Sequence, residues 1–272
     1  WALSSDYTGD VSLSDDILKQ SAEVYRKIRN TARYILGNTS DYNPDEPVEY
    51  KDLEEIDKWA LTRLNKLIKD CTNNYDNYNF SNCYHDINQF CVSDMSNFYL
   101  DIIKDRLYTS KPDSKERRSA QTTMYIILDA LVKILTPMIC FTAEEIWKAM
   151  KHKSDEQVES VMLTDFPKAN DMYDNEEFSA KWDKILKLKD LVAKELENAR
   201  AEKTIGHSLN AKVTIFANDD EYNFLKENID LLRTVFIISD LEVLKNERKD
   251  EEKLGIKVEQ SHGEKCERCW MY

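Results

Sequence analysis

The sequence is poor in the two residues that most often interrupt helices, with five glycines and five prolines in 272 residues. So few chain breakers, with 33% charged and 42% apolar residues, are typical of a mainly helical protein. No apolar run reaches the ~20 residues that a membrane-spanning helix needs, and no signal-peptide pattern opens the chain. We therefore expect no membrane contact. The chain opens on Trp1 without an initiating methionine, which indicates a fragment of a longer protein.

Motifs for catalysis are also missing. There is no glycine-rich phosphate-binding loop, and the histidines share no spacing typical of metal binding or acid–base chemistry. Carboxylates are too abundant for any pair to be singled out as an acid and a base. We predict no catalytic residue. The four histidines are His85, His152, His207 and His262.

Cysteine usage and charge limit the cellular setting and the partners. Four of the six cysteines lie in helical patterns and are most simply buried, free thiols, which fits a reducing, cytoplasmic compartment. The net charge of −13 argues against sequence-blind affinity for nucleic acid but allows a local basic patch. These four cysteines are Cys71, Cys83, Cys91 and Cys140.

The stretch 80–147 organises the chain. Apolar residues recur at steps of three and four on either side of a charged loop at 109–114, which predicts two amphipathic helices with a short connection. Such helices pack antiparallel in a bundle. After Pro137, Thr142 and Glu145 stand three residues apart and predict a capping box that restarts the second helix.

Other helices are predicted before this stretch and after it, and the apolar period changes beyond Gly206. Alternating apolar residues there predict short strands around a helix and a charged run at 245–253. The sequence thus predicts a helix bundle followed by a small α/β module. The further helices are 14–38, 52–75, 177–203 and 220–232, and the strands are 211–217, 234–238, 241–244 and 255–258.

The first helix carries a basic stripe opposite its buried face. At 100° per residue, Lys19, Arg26, Arg29 and Arg33 gather on one side. Two interpretations stay open: a solvated helix face, or a surface that contacts phosphates. Arg117 and Arg118 are expected to pair with Asp101 or Asp105 rather than with phosphate.

Cys266 and Cys269 form the one metal-type motif. Two thiolates at this spacing on a turn can hold two corners of a tetrahedral zinc site. His262 is a conceivable third ligand, although a lone surface histidine is the simpler interpretation. A redox pair is the alternative, but no thioredoxin-like βαβ pattern surrounds the cysteines.

Several stretches, in order along essentially the whole chain, together resemble the C-terminal part of bacterial isoleucyl-tRNA synthetases. The terminal zinc half-motif favours isoleucine over the related valine, leucine, methionine and cysteine enzymes. The stretches are DYTGDVSLSDDILKQSAEVYRKIRNTARYILGN (6–38), FYLDIIKDRLY (98–108), RRSAQT (117–122), FTAEEIW (141–147), EKTIGHSL (202–209) and KCERCW (265–270).

This resemblance implies a mainly α fold: an antiparallel helix bundle of the class I synthetase anticodon-binding type, a small α/β junction module and a truncated zinc-binding tail. Residues 1–12 would connect to an absent catalytic domain, 13–175 form the bundle, 176–255 the junction module and 256–272 the start of the zinc module. The second CxxC of the family's zinc site is missing. In some relatives an arginine replaces Ser12, which puts that contact with the anticodon in doubt.

By the same resemblance, the parent enzyme activates isoleucine with ATP and charges the isoleucine tRNA. The HIGH-type and KMSKS-type motifs and the editing domain are absent, so ATP and magnesium would bind elsewhere and this chain alone would not be an enzyme. We expect zinc in the complete enzyme and little or none here. The expected partners are the anticodon stem-loop and the catalytic domain in cis, in a monomer. Expected tRNA contacts are Lys19, Arg26, Arg29, Arg33, Arg268 and Trp270, and expected metal ligands are Cys266 and Cys269.

Two other functions stay open at this point. One is a helical protein-interaction module that has the same bundle but no longer binds RNA. The other is a DNA-repair zinc finger with a similar CxxC ending, which would explain only the last few residues.

Overall fold

The computed structural model of this chain describes residues 1–156, 158–246 and 254–272. The chain divides into two compact units, Trp1–Asn175 and Glu176–Tyr272. Most residues of the first unit are helical and the sheet belongs to the second, which confirms the expected mainly α fold with a small α/β module. No helix in the described part of the chain is long and apolar enough to cross a bilayer.

The first unit is a bundle centred on two packed helices, α2 (Glu55–Asp76) and α6 (Lys115–Leu135). Their apolar faces meet in a core that contains the predicted inward residues of α2, from Ile56 to Cys71. Three of the four helical cysteines are buried. Burial raises the pKa of the Cys91 thiol to about 12, which keeps this thiol protonated and unreactive. The helices are α1 (Asp15–Asn38), α2 (Glu55–Asp76), α3 (Phe80–Gln89), α4 (Leu100–Ile102), α5 (Lys104–Thr109), α6 (Lys115–Leu135) and α7 (Cys140–Ala149).

Helix α1 begins where the sequence predicts. The Ser14 hydroxyl accepts a hydrogen bond from the Ile17 amide at 3.3 Å, and Asp15 and Asp16 lie in the first turn, where the helix dipole favours negative charge. Ile28 and Ile35 are buried, whereas Ile17 and Val24 are only half-buried. The C-terminal half of α1 is therefore the part anchored in the core.

The first of the two predicted central helices is not one α-helix. After α3 the chain continues as a ten-residue π-helix, Phe90–Tyr99, before α4 and a break at Ile103. The Cys91 carbonyl in this segment accepts hydrogen bonds from the Ser96 hydroxyl at 2.8 Å and from Thr31 of α1 at 3.4 Å. These hydroxyls stabilise a geometry that is otherwise rare beyond a single turn.

A buried carboxylate links the helices in the core. Asp57 of α2 is fully buried and accepts hydrogen bonds from the Tyr99 hydroxyl at 2.7 Å and from the Ser119 hydroxyl. The guanidinium of Arg106 meets it with two nitrogens, at 3.0 and 2.8 Å. Four charge-assisted hydrogen bonds compensate for burying this carboxylate. The network joins α2, α5, α6 and the π-helix.

Two contacts predicted for the bundle are wrong. Arg117 pairs with Asp41, at 2.6 and 2.9 Å, and not with Asp101 or Asp105, because the loop after α1 folds back onto the start of α6. Thr142 does not cap a helix: α7 already begins at Cys140, and its N-cap Ile139 makes no side-chain capping bond.

The irregular segment after α7 is held on α2 by a buried asparagine. The side-chain oxygen of Asn65 accepts a hydrogen bond from the Asn170 amide at 2.7 Å. Its side-chain nitrogen donates hydrogen bonds to the Asn170 carbonyl at 3.1 Å and to the Asp174 carboxylate at 2.8 Å. These bonds satisfy a polar group that is only 1% exposed. A segment without regular structure thereby closes one side of the bundle.

The second unit is a three-stranded sheet with helices. The strand order is β2-β1-β3, in which β1 pairs parallel with β2 and antiparallel with β3. A parallel pair needs a crossover connection, and two short helices supply it. The elements are α8 (Glu176–Ala201), β1 (Ala211–Ala217), α9 (Asp219–Glu227), α10 (Ile229–Phe236), β2 (Asp240–Lys245) and β3 (Gly255–Gln260).

Three of the four predicted strands are present, and the strand predicted at 234–238 is wrong. Residues 234–238 belong to the end of α10 and its cap, because Leu232, Val235 and Phe236 stand at helical spacing and are all buried. Ile237 then ends the helix in the left-handed region at φ 54°, which a β-branched residue rarely adopts. Most of the charged run at 245–253 lies outside the described residues.

Candidate nucleic-acid interface and cysteine turn

The basic stripe lies on an exposed face of α1. All four of its residues are exposed, as the helical spacing predicts. Each of the first three stands beside a carboxylate: Lys19 lies 3.3 Å from Asp16, and Arg26 pairs with Glu23 one turn earlier. Arg33 makes no ion pair with any residue that the structure describes.

The third pair joins α1 to α7. An Nη nitrogen of Arg29 lies 3.1 Å from a carboxylate oxygen of Glu145, and the Tyr25 and Thr142 hydroxyls lie 2.9 Å apart. Nothing in the sequence predicts these contacts, because the partners are more than 100 residues apart. They join the surfaces of α1 and α7 beside Arg29.

These ion pairs reduce the positive charge of the stripe without removing it. Exposed pairs contribute about 0–1 kcal/mol each and are screened by salt, so a phosphate can replace a carboxylate at little cost. The stripe is therefore chemically able to contact an RNA backbone. Its field is weaker than four unpaired cations would give.

In the second unit, the two cysteines of the metal-type motif stand on a tight turn. The Trp270 amide donates to the Cys266 carbonyl at 2.9 Å, and the Cys266 amide donates to the Met271 carbonyl at 2.8 Å. Cys266 is exposed and Cys269 is half-buried. The Tyr272 amide donates to the Ser239 hydroxyl at 2.8 Å, which ties the turn to the residue preceding β2.

This turn meets half of the requirements of the zinc site that the resemblance implies. A structural zinc ion needs four ligands, and Cys266 and Cys269 supply two at a suitable spacing. No third histidine, cysteine or carboxylate among the described residues stands close enough to complete a group of three, and His262 is exposed. The residues present therefore do not form a complete zinc site.

Trp270 and Arg268 project from the same turn. Trp270 is 60% exposed, and its backbone lies in the left-handed region at φ 65°. The ammonium of Lys265 lies 4.8 Å from the centre of its ring. A large aromatic ring exposed beside cationic side chains has the chemical character of a nucleobase-stacking surface.

A comparison with known families decides what the bundle is. A family model described as the anticodon-binding domain of tRNA ligase matches residues 57–215, more than half of the chain. The chain belongs to this family of anticodon-binding domains. The match begins in the first turn of α2 and ends within β1, while α1 precedes it.

Relatives that match this chain include isoleucine–tRNA ligases. The chain is 50% identical over 282 residues to that of Caldanaerobacter subterraneus subsp. tengcongensis and 52% identical over 274 residues to that of Caldicellulosiruptor bescii. Both alignments take in the whole of this chain but only 30% and 29% of the relative. The chain thus spans about three tenths of the length of the curated relatives that it matches, and the predicted resemblance is confirmed.

Proposed function

We propose that this chain is the part of an isoleucine–tRNA ligase that recognises the anticodon stem and loop of the isoleucine tRNA. The observation that carries the proposal is the alignment of the whole chain with isoleucine–tRNA ligases at about 50% identity, with the anticodon-binding family model inside it. The complete enzyme would activate isoleucine with ATP and magnesium and charge the tRNA in the cytoplasm. This chain would supply recognition and no catalytic group, as part of a monomer.

Within the first unit, the basic stripe would bind the RNA backbone. Lys19, Arg26, Arg29 and Arg33 are exposed on one face of α1. Arg29 and Arg33 lie on its C-terminal half, which is anchored in the core, so these two present charge from a fixed position. Phosphate contacts of this kind position an RNA and do not read its sequence. Specificity for the anticodon must come from other side chains.

Within the second unit, Arg268 and Trp270 would contact RNA next to the cysteine turn. In the complete enzyme, two further thiolates would join Cys266 and Cys269 around a structural zinc ion. The turn, closed by the Trp270 and Cys266 amides, already fixes the backbone of this half of the site. We propose that residues 1–12 are a connector and residues 13–175 the bundle. Residues 176–255 would then be the junction module, and residues 256–272 the start of the zinc module.

The alternative is a helical protein-interaction module that does not bind RNA, and the carboxylates beside the stripe are the observation that favours it. Titration of the 272-residue chain with isoleucine tRNA at several salt concentrations separates the two. Phosphate contacts make the logarithm of the binding constant fall linearly with the logarithm of salt concentration. Failure to bind tRNA even at low salt would contradict the proposed function.

The stripe itself is tested by Arg26→Glu with Arg33→Glu. Binding of every tRNA should weaken alike, and the salt slope should fall by roughly one unit per lost phosphate contact. The matched control is Lys66→Glu with Lys69→Glu on α2, which makes the same charge change on ion-paired lysines. If circular dichroism shows intact helices and both double variants have the wild-type slope, the stripe is only a solvated face.

A further inference from the structure

Phe141 is the most exposed large apolar side chain that the structure describes, at 90%. It lies in the first turn of α7, between the half-buried Cys140 and Thr142, so its exposure does not come from a loose chain end. Exposing a whole phenylalanine ring sacrifices about 1.5–3 kcal/mol of burial free energy. A ring held on a helix and left in solvent indicates a surface that binds something.

The ring of Phe141 stands beside the basic stripe. The next residue, Thr142, meets the Tyr25 hydroxyl at 2.9 Å, and Glu145, one helical turn beyond Phe141, holds Arg29 at 3.1 Å. Residues four apart share a helix face, so Phe141, Glu145 and the attached Arg29 belong to one surface. We call this surface, formed by Tyr25, Arg29, Phe141 and Glu145, the aromatic–arginine patch.

The neighbours of Phe141 on α7 argue against a protein partner. Its neighbours on the same helix face, three, four and seven positions onward, are Glu144, Glu145 and Lys148, all charged. The centre of a protein–protein interface is depleted in charge, so a docked protein would leave these groups poorly matched. An isolated ring among charged side chains of both signs suits a single unpaired nucleobase, since stacking needs only one flat face.

We propose that Phe141 stacks on an unpaired base of the RNA whose phosphates contact the α1 stripe. The inference rests on the proposed function and adds to it a contact with a base of the loop, where the stripe contacts only the backbone. The charges around the ring nearly balance, so the stacking contact itself contributes little to the salt dependence. The cations that contacts place near the ring are Arg29 and Lys148, and the carboxylates are Glu144 and Glu145.

The test uses the 272-residue chain and a synthetic RNA hairpin with the anticodon arm of the isoleucine tRNA. Phe141→Ala should weaken binding roughly 5- to 150-fold, the usual range for losing one stacked base, with the salt slope unchanged. Phe141→Trp should retain wild-type affinity, because any large flat ring can stack. With 2-aminopurine placed in turn at each loop position, one position should be quenched by wild type and not by Phe141→Ala.

Met172→Ala is the matched control, since it removes a side chain that is 60% exposed elsewhere on the first unit. It should leave the affinity unchanged. If wild type binds the hairpin and Phe141→Ala binds equally well, the stacking inference is wrong while the proposed function stands. If Phe141→Ala leaves RNA binding intact but lowers the melting temperature of a full-length ligase, the ring faces another domain instead. If wild type does not bind at all, the proposed function itself fails.

Discussion

Replacing Asp57 with alanine should destabilise the first unit more than any surface change. The substitution removes a fully buried carboxylate and leaves the guanidinium of Arg106, whose side chain is 16% exposed, without a counter-ion. Tyr99 and Ser119 lose an acceptor at the same time. Breaking one partner of a buried ion pair costs about 3–5 kcal/mol, which is roughly a fifth or more of the stability of a typical domain.

The assay is equilibrium urea unfolding at pH 7, followed by far-ultraviolet circular dichroism with reductant present. With a denaturant slope of about 2 kcal/mol per M, the midpoint of the affected transition should fall by about 2 M. The matched control is Asp52→Ala, which removes an exposed carboxylate 3.5 Å from Lys115. It should cost less than about 1 kcal/mol.

A double-mutant cycle tests the stated cause. In Asp57→Ala with Arg106→Ala the orphaned charge is gone, so the double variant should lose about 1–3 kcal/mol less than the sum of the single losses. Strictly additive losses, or an Asp57→Ala loss as small as that of the Asp52 control, would show that the ion pair does not govern the stability of this core.

Three further outcomes are expected. The pKa of Asp41 is lowered to about 2, chiefly by its hydrogen bond from Arg117, so this carboxylate adds stability above about pH 4 that is lost toward pH 2. Asp41→Asn should therefore reduce the fall in unfolding free energy between about pH 4 and pH 2. The reduction should be at most about 1 kcal/mol, because the Asp41 side chain is 40% exposed. After dialysis against a chelator, mass spectrometry should find far less than one zinc per chain, and a stoichiometric amount would mean that Cys266 and Cys269 have further ligands. In full-length enzyme, Trp270→Ala should weaken tRNA binding roughly 5- to 150-fold without affecting isoleucine activation, whereas loss of zinc would make the ring structural.

The local rules of the sequence predict the helices well. Ser14 starts α1 and the inward residues of α2 from Ile56 to Cys71 are all buried, because capping and helical spacing depend only on near neighbours. The wrong strand prediction at 234–238 also comes from a rule that depends only on near neighbours. Five residues are too few to distinguish alternation from the helical spacing of Leu232, Val235 and Phe236.

What the sequence could not predict depends on residues far apart in the chain. Arg29 meets Glu145 across 116 positions, and Arg117 meets Asp41 across 76. Helical spacing predicts the stripe on α1 but not Glu145, the carboxylate that the fold brings beside it from α7. The exposure of Phe141 is hidden for the same reason, since an aromatic residue in a helical pattern is ordinarily assigned to the core.

The π-helix has a consequence for how the length of this chain can change. Its backbone hydrogen bonds span one residue more than those of an α-helix, so deleting one residue between Phe90 and Tyr99 could convert it to α-helix and keep α3 and α4 in their rotational positions. The same deletion within α2 would turn every later side chain by about 100° and remove Leu64 or Cys71 from the core. Among the described helices of the bundle, the π-helix is therefore where the loss of a residue should disturb the register of the neighbouring helices least.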